Sequence, residues 1–228
     1  MSSAFVPDRW IPGQRLTGRL PAAPAARSPD GEVAAPLIGV LGLQGDVLEH
    51  LQALRRVGAR AVQVKTAPQL AEVAGLILPG GESTTIGKLL ERFGLLEPLQ
   101  ARIADGLPVF GTCAGMILLS DELEQDEPQP LVGGLHVRTR RNAFGRQLDS
   151  FDTRIEVVGI DGGPMDVAFI RAPRVERVLT DEVEVLASVD GHPVVVRQGP
   201  LWAAAFHPEV TGDDRLHAAF VAAVLRRA

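Results

Sequence analysis

The sequence predicts a three-layer α/β fold with a mostly parallel central sheet, helices on both faces and antiparallel strands in the C-terminal half. From Leu37 onward, short apolar runs alternate with amphipathic ones, which favours parallel strands joined by right-handed helical crossovers. From about Gly133 the pattern changes, because apolar runs follow one another with few helices between them. Such a series is typical of antiparallel strands, which here would extend or flank the parallel sheet.

The predicted strands are short apolar runs, and the predicted helices carry apolar residues at helical spacing, as Val47, Leu51 and Leu54 do before Gly58. The strands cover residues 36–43, 59–65, 75–81, 107–111, 152–158, 166–170, 182–189, 192–198 and 201–206. The helices cover residues 46–58, 84–106 with a break in the middle, 114–123 and 212–228. In the last helix, aspartates near the start and arginines near the end complement the helix dipole.

The composition indicates a globular protein. The 228 residues are 46% hydrophobic, which is ample for a buried core. No apolar run approaches the roughly 18 residues that span a bilayer, and the N-terminal sequence lacks the apolar centre of a secretory signal, so we expect a cytoplasmic protein. The net charge of −5 argues against a general affinity for nucleic acid, and a small neutral substrate or a protein partner fits better.

The first 34 residues differ in composition from the rest. They hold five of the 17 prolines together with several alanines and arginines, and they show neither a helical nor an alternating period. Such a composition buries too little apolar area to offset the entropy lost on ordering. We therefore expect a flexible tail over residues 1–34 and one folded domain over residues 35–228.

The only cysteine, Cys113, lies in the segment GTCAG between a predicted strand and a predicted helix. A lone cysteine cannot form an internal disulfide, so either burial or chemistry explains it. Gly111 and Gly115 allow a tight strand-to-helix turn like the one that presents the nucleophile of G-x-S-x-G enzymes. The turn would aim the thiol beyond the end of the sheet, where the helix dipole favours the thiolate and the Ala114 amide faces a developing oxyanion.

Among the five histidines, His207 stands out because it opens the triplet His-Pro-Glu at the end of an apolar strand. Proline favours extended geometry in the residue before it, so His207 and Glu209 would point the same way. The carboxylate would then orient the imidazole and support its charged form, which completes a triad with Cys113. The remaining histidines are most simply surface or packing residues: His50, His136, His192 and His217.

The segment PGGES, residues 79–83, is a third candidate feature and directly follows a predicted strand. Paired glycines let the backbone approach a ligand closely, so the amides of Gly80 and Gly81 are candidate donors to a carbonyl oxygen. A glycine-rich turn with Ser83 as the N-cap of a helix is the alternative explanation. The sequence lacks the G-x-x-x-x-G-K-[ST] spacing of a phosphate loop.

Together these residues resemble the class I, triad-type glutamine amidotransferases, and they are most similar to the glutaminase subunits of pyridoxal 5′-phosphate synthase. The resemblance covers residues 37–226 and rests on GVLGLQGDVLEH, LILPGGESTT, FGTCAGMILL, RNAFGRQLDSF, FIRAP and FHPE. GTCAG and HPE alone are typical of the broader class, whereas the combination with the other segments is specific to these subunits. The resemblance implies a flavodoxin-like sheet, and residues 1–34 are extra to the family core.

The resemblance implies that Cys113 attacks the side-chain amide of glutamine, giving a glutamyl thioester and ammonia, while His207 moves the proton and Glu209 orients it. Water then hydrolyses the thioester and releases glutamate, with no cofactor and no metal. The residues that the resemblance assigns to the glutamine site are Gly81, Glu82, Ser83, Arg141, Ile170 and Arg171.

The resemblance further implies an oxyanion hole made by the amide of Gly80 or Gly81 together with that of Ala114. It also implies a partner, a separate (β/α)8-barrel synthase that uses the ammonia to build pyridoxal 5′-phosphate from a pentose phosphate and a triose phosphate in a large assembly. Because ammonia would be lost or protonated in bulk water, sequestered transfer makes chemical sense. We therefore expect the PGGES loop to reorganise on docking, and the isolated subunit to be a poor glutaminase.

Three other interpretations stay open at this point. A cysteine peptidase or a related hydrolase on a similar sheet also places a thiol on such a turn, and it would cleave peptides without hydrolysing glutamine. A pseudo-glutaminase would serve as a binding subunit, although the intact Cys113, His207 and Glu209 argue against it. A glutaminase for a different synthase, such as the imidazole-glycerol-phosphate system, is disfavoured by the GLQG and FIRAP segments.

Overall fold

The computed structural model describes residues 35–141 and 150–227. The strands in these ranges are β1 (Leu37–Leu41), β2 (Arg60–Val64), β3 (Gly75–Leu78), β4 (Val109–Thr112), β5 (Ser120–Glu124), β6 (Leu135–Arg140), β7 (Ser150–Ile155), β8 (Met165–Ile170), β9 (Arg174–Val178), β10 (Glu184–Val189), β11 (His192–Gln198) and β12 (Leu201–Ala204). The helices are α1 (Val47–Arg56), α2 (Ala67–Glu72), α3 (Ser83–Arg92), α4 (Leu96–Ala104), α5 (Ala114–Leu119) and α6 (Arg215–Leu225).

The largest sheet has seven strands in the order β10-β11-β12-β4-β3-β1-β2. The five strands from β12 to β2 run parallel to one another, and β11 and β10 extend the sheet beyond β12 in antiparallel pairing. Every residue of β3, β4 and β12 is buried, as expected for central strands that are covered on both faces. Because parallel strands have their carboxyl ends at one edge, the segments that follow β1, β3, β4 and β12 come together there.

Helices cover both faces of this sheet, as consecutive residues of β4 demonstrate. Phe110 packs against Phe220 of α6, with ring centroids 5.8 Å apart. A side chain on the next residue, Gly111, would instead meet the backbone of Gly115 in α5 at 2.5 Å. Since successive side chains of a strand point to opposite faces, α6 and α5 lie on opposite sides of the sheet. The predicted three-layer α/β architecture with added antiparallel strands is confirmed.

Two smaller sheets flank the large one. Strands β5, β6 and β9 form the first, with β5 and β6 parallel, and β7 and β8 form an antiparallel pair. Phe151 of β7 stacks on Phe169 of β8 with ring centroids 4.7 Å apart, and Phe169 packs edge-on against Phe206 with ring centroids 5.5 Å apart. The backbone N–H of His207 donates to the Ala168 carbonyl at 3.1 Å. The β7–β8 pair therefore holds the segment after β12 in place.

Some sequence predictions of secondary structure are wrong in detail. The helix predicted over residues 114–123 ends at Leu119, because the Ser120 hydroxyl donates back to the Ile117 carbonyl at 2.7 Å and the next residues join β6 as strand β5. The strand at 201–206 is antiparallel to β11 but parallel to β4 on its other side. Helix α2 and strands β5, β6 and β9 were not predicted from the sequence.

Two sequence predictions lie outside the described residues. One is the flexible tail over residues 1–34, and the other is the part of the RNAFGRQLDSF segment that covers residues 142–149. Within residues 35–141 and 150–227, none of the helices has the length and apolar character needed to cross a membrane.

Candidate active site

Cys113 occupies the turn between β4 and α5, at the carboxyl edge of the parallel strands. Its backbone has φ 47° and ψ −103°, a left-handed conformation that a non-glycine residue seldom adopts. A side chain at Gly115 would lie 2.0 Å from the Leu78 carbonyl oxygen, so β3 and α5 cross in close contact. The turn thus has the tight form that the sequence predicted, and the structure adds backbone strain of a kind that is typical of functional sites.

The Cys113 side chain lies at the wall of a pocket of about 370 Å³. This volume falls in the usual range for small-molecule sites. The lining residues are Gln44, Asp46, Gly81, Glu82, Ser83, Cys113, Ala114, Ile117, Arg141, Ile170, Arg171, His207 and Val210. The structure therefore brings all six residues of the predicted glutamine site to one cavity, together with the predicted nucleophile and base. Their roles in binding stay predictions.

His207 and Glu209 follow β12 and are both buried. His207 Nδ1 lies 2.7 Å from Glu209 Oε1, so the Nδ1–H donates to the carboxylate. Glu209 does not line the pocket and lies behind the imidazole, in the place of an orienting group. With Nδ1 protonated, Nε2 is the ring nitrogen left to exchange a proton with Cys113.

Asp46 is a second carboxylate beside His207, and it was not among the site residues predicted from the sequence. Its Oδ2 lies 3.2 Å from His207 Nδ1, and it lines the pocket. The signal was present, because Asp46 follows β1 and the ends of parallel neighbours meet at the edge where ligands bind. The sequence alone does not show that β1 lies close enough to β12 for Asp46 to contact His207.

The charges around His207 favour its protonated form. Burial alone would lower the pKa of this imidazole, but hydrogen bonds with Asp46, Cys113 and Glu209 outweigh burial and raise the pKa to about 12. The hydrogen bond to His207 holds the pKa of Asp46 below its usual value. Burial raises the pKa of Glu209. The site therefore stabilises an imidazolium next to the thiol, which suits a Cys–His nucleophilic pair.

The PGGES loop packs directly on the segment after β1. The Gly80 carbonyl accepts a 3.3 Å hydrogen bond from the backbone N–H of Asp46, and the backbone N–H of Glu82 donates to Gln44 Oε1 at 2.9 Å. A side chain at Gly45 would lie 1.8 Å from the Gly80 carbonyl oxygen. The two glycine-containing segments are therefore in backbone contact at the mouth of the pocket.

Glu82 is the N-cap of α3, which differs from the alternative in which Ser83 was the cap. Its Oε2 accepts from the backbone N–H and hydroxyl of Thr85 at 2.7 and 3.0 Å, and its Oε1 accepts from Arg141. Ser83 is the first residue of the helix and donates to Gln129 at 3.1 Å. Burial would raise the pKa of Glu82, but the Thr85 and Arg141 hydrogen bonds lower it to about 2, so this carboxylate stays charged.

The far wall of the pocket comes from the end of β8. Arg171 has φ 45°, a left-handed turn straight after the strand, and it sets both Ile170 and Arg171 at the cavity. The large apolar side chains of Ile170 and Val210 are 42% and 48% exposed beside the opening. Exposed apolar groups around a cavity often mark a site that a partner covers.

Two histidines interpreted as surface or packing residues are fully buried behind the triad. His50 of α1 and His217 of α6 have no solvent exposure, and His50 Nδ1 lies 2.9 Å from His217 Nε2. The other two histidines lie nearer the surface. His136 Nδ1 lies 2.5 Å from Asp121 Oδ2, and His192 Nε2 lies 3.2 Å from Arg174 Nη1.

The buried histidines predict acid sensitivity of the fold. Burial lowers the pKa of His217 to about 4, whereas an unfolded histidine titrates near 6.5. Its contribution to stability is therefore complete above about pH 6.5 and is lost as the pH falls through 4, by up to about 3 kcal/mol at pH 4. We expect the free energy of unfolding of His217→Gln to fall less than that of the wild type between pH 7 and 4, because glutamine keeps a donor to His50 but does not titrate.

Urea denaturation of wild type and variant between pH 7 and 4 measures this difference. Parallel curves for wild type and His217→Gln would show that His217 is not the titrating group.

One group of side chains among the described residues also has a spacing that a metal ion could use. The ligand atoms of Asp46, His207 and Glu209 lie within 4.8 Å of one another. The Nδ1 atom of His207, however, lies at hydrogen-bonding distance from both carboxylates, so a shared proton explains the cluster.

Comparison with known proteins points to one family. A model described as the SNO glutamine amidotransferase family matches residues 40–226. A protein of Frankia casuarinae named "Pyridoxal 5'-phosphate synthase subunit PdxT" is 61% identical over 193 residues, covering 84% of this chain and 96% of the relative. The protein of the same name from Mycolicibacterium vanbaalenii is 56% identical over 197 residues, covering 84% of this chain and all of the relative.

Solved structures agree with the fold. A structure described as a glutamine amidotransferase superposes with a TM-score of 0.78 at 47% identity, covering 82% of this chain and 98% of the other. A Thermoplasma acidophilum protein described as part of a putative GMP synthase superposes with a TM-score of 0.56 at 20% identity, covering 85% and 96% of the two chains. At that identity the second match supports the architecture alone.

Proposed function

Because this chain belongs to the SNO glutamine amidotransferase family, we propose that it hydrolyses glutamine with a triad of Cys113, His207 and Glu209 and supplies the ammonia to pyridoxal 5′-phosphate synthesis. The observation that most supports the triad is the His207 ring, which interacts with both Glu209 and the thiol at the wall of one pocket. The relatives named as synthase subunits support the destination of the ammonia.

In the first half of the reaction, Cys113 Sγ attacks the side-chain amide carbon of glutamine as a thiolate, because its proton is already held on His207 Nε2. The resulting tetrahedral intermediate collapses as the C–N bond breaks. His207 returns the proton to the leaving nitrogen, so that ammonia departs and a glutamyl thioester remains. The Glu209 carboxylate stabilises the imidazolium until this proton is returned.

In the second half, water enters the position that ammonia has left. His207 Nε2 accepts one of its protons while the oxygen attacks the thioester carbon. The C–S bond then breaks, glutamate leaves, and the proton on His207 restores the starting Cys113–His207 pair. The same base therefore serves both halves, which requires a fixed ring, and the 2.7 Å bond to Glu209 supports that requirement.

Charged groups of both signs line the pocket, which suits a zwitterionic amino acid. Arg141 and Arg171 are candidate partners of the α-carboxylate, and Glu82 is a charged acceptor at the opposite polarity. Arg141 is oriented by Glu82 and by Thr84, to which it donates at 2.8 Å. We propose that these residues, with Gly81, Ser83 and Ile170, position glutamine so that its amide reaches the thiol.

We propose that the oxyanion forms next to the Ala114 amide and an amide of the PGGES loop, Gly80 or Gly81. Gly80 approaches the base closely, since a side chain there would lie 2.4 Å from His207 Cε1. Its carbonyl accepts a long 3.3 Å hydrogen bond from Asp46, which a peptide reorientation could exchange for another contact. Reorganisation of this loop on docking would complete the hole.

The relatives of this chain are named as one subunit of pyridoxal 5′-phosphate synthase, so the partner is another subunit of that synthase. We propose more specifically that it is a (β/α)8-barrel enzyme in a large assembly, as the family resemblance implies. The exposed Ile170 and Val210 at the pocket opening support a protein cover, because such a cover would bury them and keep ammonia out of bulk water.

Glutamate release by the purified chain, measured with and without the synthase subunit, tests this function. We expect a rate at least about 10-fold higher in the complex, because the oxyanion hole is completed there and each lost donor is worth about 10²–10³ in rate. Full activity of the lone subunit would contradict the docking requirement. No ammonia in either state would favour a pseudo-glutaminase, and peptide cleavage would favour a thiol peptidase.

A further inference from the structure

A buried polar cluster behind the triad has no role in the mechanism above. His50 Nδ1 lies 2.9 Å from His217 Nε2, although the two residues are 167 positions apart in the chain. His50 Nε2 lies 3.0 Å from Thr112 Oγ1, next to the nucleophile, and 3.5 Å from Glu209 Oε2. One fully buried imidazole therefore contacts both the strand that carries the nucleophile and the carboxylate that orients the base.

The available hydrogen-bond donors and acceptors show which ring nitrogen of each buried histidine carries the proton. Burial keeps the pKa of both histidines well below the usual range, so both rings are neutral and each has one donor and one acceptor nitrogen. His217 Nδ1 has no hydrogen-bond partner among the described residues, and a buried N–H without an acceptor is rarer than a buried lone pair without a donor. The His217 proton is therefore on Nε2, which donates to His50 Nδ1.

This arrangement leaves the His50 proton on Nε2, which donates to Thr112 Oγ1 at 3.0 Å and also faces Glu209 Oε2 at 3.5 Å. Glu209 Oε1 accepts from His207, whereas its Oε2 is buried without a hydrogen-bond partner among the described residues. A buried carboxylate oxygen that lacks a donor is unfavourable. The His50 Nε2–H offsets that cost electrostatically, because Nε2 lies 3.5 Å from Glu209 Oε2. If the two atoms approached by about 0.5 Å, they would form a full hydrogen bond.

We propose that His50 is a positioning residue of the glutaminase, whose Nε2–H holds the Glu209 carboxylate in the orientation that receives the His207 Nδ1–H. His217 fixes the tautomer of His50. The two helices that carry these rings are tied by Arg56, which donates to both oxygens of Asp214 at 2.6 and 2.8 Å. The proposal rests on the proposed triad and adds to it a residue that touches neither substrate nor thiol.

Kinetics of glutamine hydrolysis in the assembled complex test it. His50→Leu removes the N–H, while His50→Gln keeps an amide N–H near the place of Nε2. We expect His50→Leu to lower kcat about 10- to 100-fold with KM for glutamine within about twofold, because the base is misoriented and the binding pocket is intact. His50→Gln should restore most of kcat.

Thr139→Val is the matched control for the cost of deleting a buried polar group. Thr139 is fully buried, and its hydroxyl pairs with the hydroxyl of Ser120 at 2.9 Å rather than with a triad residue. We expect this variant to lose thermal stability as His50→Leu does and to keep the wild-type kcat. The comparison separates a role in catalysis from a role in folding alone.

Wild-type kcat in His50→Leu, or equal impairment of folded His50→Gln and His50→Leu, would overturn the proposal. If His50→Leu does not fold, the wild type decides through its imidazole nitrogen resonances, with histidine ¹⁵N-labelled. Protonation of His50 on Nε2 is the expected state, and protonation on Nδ1 would refute it. A complex whose wild type releases no ammonia from glutamine would instead remove the triad itself, and both proposals with it.

Discussion

Cys113→Ala is expected to abolish glutamine hydrolysis, by at least about 10⁴-fold, while the assembled enzyme still makes product from added ammonium salt. Cys113 is the only cysteine of the chain, so no other thiol can form a thioester with the glutamine carbonyl. Added ammonia bypasses this chemistry, because the partner subunit needs only the product of the hydrolysis. The variant thus separates the glutaminase step from the synthase step.

The substitution should leave the fold intact. The backbone N–H of Cys113 donates to the Ala204 carbonyl at 2.8 Å, and alanine keeps this bond. The side chain lies at the pocket wall and little apolar contact is lost with the sulfur. Glutamate release and product formation are measured in parallel, with glutamine or with ammonium chloride as the nitrogen source. Glutamine-dependent product formation by this variant would refute the assignment of the nucleophile.

Alkylation offers an independent check on the same atom. With one cysteine in the chain, iodoacetamide can label at most one thiol, and mass spectrometry counts it directly. We expect loss of glutaminase activity in step with labelling, and protection by glutamine because substrate covers the pocket. Labelling without loss of activity would contradict a thioester at Cys113.

The parts of the site that the sequence predicted depend on local rules. The turn at Cys113 follows from a strand pattern that switches to a helical one between two glycines, and the His207–Glu209 pair follows from the extended geometry before a proline. A local signal was also missed. Helix α2 begins at the capping box of Thr66 and Gln69, a pattern that marks helix starts even in short segments.

Other parts depend on strand order and could not be read locally. Asp46 meets His207 only because β1 joins the same parallel sheet as β12, with β4 and β3 between them. His50 reaches His217 because α1 and α6 pack side by side. The segment at Ser120 was polar and continued an amphipathic pattern, so only its pairing with β6 shows that it is a strand. Long-range pairing thus decides these features against local preference.

Gly115→Ala is the second substitution with a large expected effect. We expect it to destabilise the fold, although helix propensity favours alanine over glycine. In the interior of an exposed helix this change usually stabilises by about 1 kcal/mol. In α5 the new methyl group would lie 2.0 Å from the Leu78 carbonyl oxygen and 2.8 Å from its carbon. Both atoms belong to the backbone of a buried strand, which cannot move aside as a flexible side chain can.

We therefore expect Gly115→Ala to lower the free energy of unfolding by more than about 3 kcal/mol, at the upper end of the range for overpacked cores. Gly58→Ala is the control, because Gly58 has φ 81° and no neighbour within 4 Å of the added methyl group, so it bears backbone strain without a clash. It should lose only about 1 kcal/mol. Urea denaturation of the two variants compares steric conflict with conformational strain.

Activity of the folded fraction extends the same argument to the site. Displacing α5 from β3 would move the Ala114 amide and Cys113 together, since both lie at the start of that helix. A displacement of about 1 Å at a reacting group can cost about 10²-fold in rate. Gly115→Ala should therefore lose glutaminase activity beyond its unfolded fraction, whereas Gly58→Ala should lose activity only in proportion to unfolding. Wild-type stability and activity in Gly115→Ala would mean that α5 does not lie against β3 and that the turn at Cys113 is formed differently.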